Sequence, residues 1–118
     1  MRIFDLAALC VSEGGEYVLG MKNLHTQSCY LVYGILQPGE GERLVRPGDA
    51  YEEILCAVGG LLTLHTDRGD IELSRSQAVH VKQGESFYIS NPSDEAVVYI
   101  LAGGRLDNLP SKTLQPTN

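Results

Sequence analysis

Short apolar runs follow one another along the chain, each cut off by a turn signal. They are CYLVYGIL (29–36), EILCAV (53–58), LLTLHT (61–66), DIELS (70–74), QAVHVK (77–82), ESFYIS (85–90) and AVVYILA (96–102). Most are rich in β-branched or aromatic residues. The breaks carry Gly, Pro, Asn and Asp: Pro38-Gly39-Glu40-Gly41, Pro47-Gly48-Asp49, Gly59-Gly60, Asp67-Arg68-Gly69-Asp70, Gln83-Gly84-Glu85 and Asn91-Pro92-Ser93-Asp94. Short runs at this spacing predict an all-β domain, an antiparallel sandwich or small barrel. No segment between the turns holds a long helical period. Near the start, Ile3–Val11 leaves room for a single helical turn or a short strand.

Alternation within the runs sorts residues onto faces, because successive strand side chains point to opposite sides. Asp49, Tyr51, Glu53, Leu55 and Ala57 share one face; Ile54, Cys56 and Val58 share the other. In the later run Ser86, Tyr88 and Ser90 oppose Phe87 and Ile89. Each strand thus has a mixed face and an apolar face. A mixed face lines a cavity in a closed barrel and meets water in a half-exposed sheet.

The chain's 118 residues fit one domain, long enough to bury a core without disulfide or metal. Residues 1–102 are read as that domain and 103–118, GGRLDNLPSKTLQPTN, as a polar C-terminal tail. A net charge of −6 with scattered Lys and Arg argues against nucleic acid or an anionic membrane as partner. No run approaches the ~20 apolar residues of a membrane span. The opening MRIFDLAALCVSEGG is interrupted by Asp5 and lacks the apolar length of a signal peptide. Cys10, Cys29 and Cys56 form no CxxC pair, and an odd number of cysteines, two of them inside apolar runs, reads as buried, reduced thiols in a cytoplasmic protein. There is no G-x-S-x-G elbow and no dinucleotide loop, and Arg68-Gly69-Asp70 is explained by a hairpin turn.

One stretch, GERLVRPGDAYEEILCAVGG (41–60), changes the picture. Gly41, Pro47, Asp49, Glu53 and Gly60 fall on the spacing G-x5-H-x-H-x3-E-x6-G. That frame resembles the first motif of the cupin family, with Pro47 and Asp49 at the two histidine positions. Downstream, Gly84 and Asn91-Pro92-Ser93-Asp94-Glu95 resemble the ends of the second motif. Its P-x-G-x-x-H loop is missing. The likeness covers roughly Tyr30 to Leu101. It implies a cupin-type double-stranded β-helix, a small antiparallel barrel or jelly roll, and a homodimer.

Cupin metal sites use two His and a Glu from the first motif and a His from the second. Of these only Glu53 remains here, so the resemblance implies a barrel that has given up its metal. No cofactor is expected. A divalent ion, if held at all, falls to Asp49, Glu53 and His65. Glu53 then points into the barrel, where a carboxylate must be hydrogen-bonded, paired or protonated. Tyr33, Tyr51, Tyr88 and Arg46 are the candidate partners. The expected function is metal-independent binding of a polar small molecule by Tyr33, Asp49, Tyr51, Glu53 and Tyr88. The alternatives are a divergent isomerase, epimerase or oxygenase, with Glu53 as base and Tyr51 or Tyr88 as acid, and a structural or dimerisation module.

Overall fold

The structure, a computed structural model, describes residues 1–106. Residues 107–118 of the expected tail lie outside the described residues. Helix α1 (Leu6–Ser12) is capped by Asp5, whose carboxylate accepts from the Ala8 N–H at 3.2 Å. Then come strand β1 (Glu16–Leu19), the single-turn helix α2 (Met21–Leu24), β2 (Cys29–Leu36), β3 (Arg43–Val45), β4 (Tyr51–Gly59), β5 (Leu62–Thr66), β6 (Gly69–Leu73), β7 (Ala78–Val81), β8 (Phe87–Ser90) and β9 (Val97–Arg105). The last strand runs three residues past the expected domain boundary at 102 and takes Gly103, Gly104 and Arg105 out of the tail.

The strands form two antiparallel sheets. One has the order β1-β2-β9-β4-β7, the other β3-β8-β5-β6. Apolar side chains from both sheets meet between them. Val32, Leu36, Leu55, Val81, Val97 and Leu101 come from the first sheet, and Val45, Leu62, Leu64, Leu73 and Ile89 from the second. Each such side chain contributes about 1.5–3 kcal/mol on burial, which is what holds the sheets face to face. The β5–β6 hairpin is closed at Asp67-Arg68, where Thr66 Oγ1 donates to the Gly69 carbonyl at 2.7 Å. Arg68-Gly69-Asp70 is that turn and the strand leaving it.

Face assignment differs between strands. On β4 the mixed face turns inward, with Glu53, Leu55 and Ala57 buried and Ile54 and Val58 exposed. On β8 the apolar residues Phe87 and Ile89 face the core, and Tyr88 lies outside, 48% exposed. The mixed face of β8 therefore meets water. Cys10 is buried as expected, whereas Cys29 is exposed and Cys56 half-buried. Both lie on the outer side of the five-stranded sheet, because β2 and β4 turn their even and odd positions inward respectively.

Candidate functional site

Glu53 enters the interior because β4 alternates from Leu55 and Ala57, which the core claims. At 5% exposure it is one of three buried polar residues among the described residues. The Tyr30 hydroxyl, from β2, donates to Glu53 Oε2. The other oxygen, Oε1, is buried and has no hydrogen-bond partner among the described residues. Burial pushes the Glu53 carboxyl up. The bond from Tyr30 pulls it back and the negative charge of Glu16 adds to the rise. The Tyr30 phenol is raised in turn, first by burial and then by Glu53.

Backbone makes room for this pair. A Cβ on Gly103 of β9 would lie 2.2 Å from Tyr30 Cζ, so the ring fits only over a glycine. Tyr51, at the start of β4, packs edge-on against Tyr30 with ring centroids 5.3 Å apart. Its hydroxyl donates to the Gln27 carbonyl at 2.6 Å. A depression of about 180 Å³ lies against the same strand, lined by Glu52, Glu53, Ile54, His80, Ala102 and Gly104. A larger cleft, about 500 Å³, opens between the β5–β6 hairpin and the β7–β8 turn. It is floored by Leu64, Val79 and Phe87 and rimmed by Arg68 and Glu85.

Of the residues expected at the site, the structure brings Tyr51 and Glu53 together. Tyr33 stands on the outer face of its sheet, paired with Tyr17 across the β1–β2 ladder, because Val32 and Gly34 face in. Asp49 is exposed on the turn before β4, and Arg46 is exposed as well. Tyr88 is outside, on the other sheet. His65 is also on that sheet's outer face, bonded to Asp70 and Ser90.

Sequence reasoning missed two interior residues. Tyr30 is the actual partner of Glu53. Arg43 reaches inward from β3, donating to Tyr99 Oη at 3.0 Å and to the Gly15 carbonyl at 2.9 Å. Tyr99, fully buried, donates to Glu16, and burial raises its phenol. Asn91 keeps the place given by the second motif and acts structurally. Its Nδ2 donates to the Leu36 carbonyl at 3.0 Å, and its Oδ1 accepts from the Ser93 N–H at 2.9 Å.

The donor set does not fit the metal of the family frame. Pro47, at the first histidine position, is buried and carries no ligand atom; Asp49 and His65 are remote in face or sheet from Glu53. Among the described residues no three His, Cys, Asp or Glu side chains converge.

No family model matches the chain, and no curated protein matches it. Solved structures do. A cupin protein from Bacteroides fragilis superposes with a TM-score of 0.68 at 17% identity, covering 93% of this chain and 86% of that one. A protein with a double-stranded β-helix domain from Klebsiella pneumoniae gives 0.67 at 18%, covering 88% and 84%. A predicted oxalate decarboxylase from Thermotoga maritima gives 0.63 at 19%, covering 80% and 86%. The fold is thus that of the cupin superfamily, a double-stranded β-helix.

Proposed function

We propose that this cupin-fold chain is a metal-independent binding module for a small polar molecule, with Glu53 as the anchor. The observation that carries the reading is the bare Oε1 of Glu53. A buried carboxylate oxygen without a donor costs on the order of 1–3 kcal/mol or more, and a ligand N–H or O–H removes that cost. Tyr30 holds the second oxygen, so the carboxyl is fixed in direction before a ligand arrives. Tyr51 packs edge-on against the Tyr30 ring and supplies an aromatic wall. Such a site takes a neutral or cationic donor and repels a phosphate.

The test is a thermal-shift screen of small amines, amides and polyols against the wild type and Glu53→Gln. Compounds that bind are expected to raise Tm in the wild type and to lose most of that shift in the variant. An equal shift in both proteins, or none in either, refutes the reading. Elemental analysis of protein purified without chelator is expected to find transition metal well below one equivalent. One equivalent per chain would replace the reading with a metal centre.

The homodimer and the cytoplasmic address belong to the same proposal. Free thiols at Cys10, Cys29 and Cys56 fit a reducing compartment. Among the described residues no helix is long and apolar enough to cross a membrane. The outer face of the five-stranded sheet carries Leu31, Tyr33, Ile54, Cys56, Ile100 and Ala102 on adjoining strands. A second copy of the chain is the occupant that suits it.

A further inference from the structure

The outer face of the four-stranded sheet holds a cluster that the barrel interior does not use. Strand register sets it out as a grid. Asp70, His65, Tyr88 and Leu44 stand in one row across β6, β5, β8 and β3; Glu72, Thr63 and Ser90 stand in the next. His65 is engaged at both ring nitrogens. Nδ1 lies 3.0 Å from Asp70 Oδ1, and Nε2 lies 2.7 Å from Ser90 Oγ. A carboxylate only accepts, so the proton of the neutral ring sits on Nδ1. Nε2 then presents its lone pair to the Ser90 hydroxyl. A serine hydroxyl, a base within hydrogen-bond reach and a carboxylate orienting that base are the parts of an activated nucleophile.

We propose that Ser90 and His65 are catalytic residues, and Asp70 a positioning residue, of a site that hydrolyses aryl or short-chain acyl esters. Ser90 Oγ attacks the ester carbonyl as its proton passes to His65 Nε2. The tetrahedral adduct expels the alkoxide or phenoxide, which takes that proton and leaves an acyl group on Ser90. Water then attacks the acyl carbon, giving a proton to His65. Collapse releases the carboxylic acid and returns the proton to Ser90. Water is the only co-reactant.

The surroundings suit this chemistry. Gly41 packs directly on Ser90, since a Cβ there would stand 2.7 Å from Ser90 Cβ. The Gly41 N–H donates no hydrogen bond among the described residues, and the proposal assigns it to the developing oxyanion. Tyr88 and Leu44, 48% and 44% exposed, form an apolar ledge beside His65 for the ester's aryl or acyl group. The face is open rather than enclosed, which favours small substrates.

The experiment uses the full chain, a fluorophosphonate probe and p-nitrophenyl acetate. Peptide mapping is expected to place the probe on Ser90. Ser90→Ala should abolish labelling and lower turnover at least about 100-fold. Asp70→Asn, an exposed change, should lower turnover about 10-fold or more and displace the pH–rate profile, which a merely structural contact would not do. Cys29→Ser with Cys56→Ser should leave turnover unchanged. Failure to label Ser90, undiminished turnover in folded Ser90→Ala, turnover lost only with the cysteines, or an unaltered Asp70→Asn each overturns the proposal. If Ser90→Ala does not fold, the mapped position of the probe and the Asp70→Asn profile decide.

Discussion

Glu53 sits where a charged residue is expensive, and its environment says which protonation state the fold prefers. Burial raises its folded pKa above the ordinary value of 4.5, so the folded chain binds the proton more tightly than the unfolded chain does. Linkage then gives the sign. Where the native state holds more protons, stability falls as pH rises. The decline begins near 4.5 and ends above the raised folded value, where Glu53 is charged in both states. Glu53→Gln should therefore flatten this part of the profile, and wild type should lose stability relative to the variant across it. Urea midpoints from pH 4 upward would show this, and parallel profiles would contradict it. Tyr30→Phe removes the one donor to Oε2 among the described residues and is expected to destabilise by about 1–3 kcal/mol at neutral pH. Glu53 was legible in the sequence because motif spacing singled it out. Tyr30 was not. In CYLVYGIL nearly every position is apolar or aromatic, so the run does not reveal which parity faces in. The core decides it: Val32 and Leu36 turn inward, which carries Tyr30 with them and puts Tyr33 outside.

At the level of elements, β2 and β9 each send a tyrosine inward over a glycine of the neighbouring strand. Tyr99 lies across Gly34, where a Cβ would come within 2.1 Å of the ring; Tyr30 lies across Gly103. Gly34→Ala and Gly103→Ala are expected to cost ~1–3 kcal/mol each, since the added Cβ would overlap a ring in either case. The two should differ in consequence. Gly103→Ala displaces Tyr30 from Glu53 and should also abolish ligand-induced thermal shifts. Gly34→Ala disturbs Tyr99 and its links to Glu16 and Arg43, and should leave those shifts in place. Equal effects on binding would break the assignment of Glu53 as anchor. The runs at 29–36, 53–58, 61–66 and 96–102 marked their strands because they are long and apolar. The strand at Arg43–Val45 stayed hidden because it is three residues long and opens on an arginine. That arginine is tolerated there because Tyr99, two main-chain carbonyls and the Glu40 carboxylate accept its N–H groups. No periodicity encodes such a set of partners.

Viewed as a whole molecule, the two sheets dispose of their outer faces differently. The four-stranded sheet turns Asp70, His65, Glu72 and Ser90 to solvent, whereas the five-stranded sheet turns out a nearly unbroken apolar surface. Cross-strand register makes that surface continuous: Leu31 neighbours Ala102, Ala102 neighbours Ile54, and Tyr33, Ile100 and Cys56 form the next row. Its charge is confined to one margin, where His80 Nε2 meets Glu52 Oε1 at 2.5 Å. Strands about 4.8 Å apart and 3.3 Å per residue give a face on the order of 500 Å², the upper end of what monomers leave exposed. A two-fold pairing would set this face against its own copy, so that apolar residues meet apolar residues and no complementary charge is required. Any heterologous partner would have to supply an equally flat apolar surface. Sedimentation velocity is therefore expected to find a dimer at micromolar concentration. Ala102→Arg places a charge at the centre of the face, on an exposed position of the middle strand. It should give a folded monomer, because a desolvated, unpaired guanidinium costs several kcal/mol in an interface and little in water. A wild-type chain that stays monomeric at tens of micromolar, or a variant that still dimerises, would assign the face to something other than a second copy.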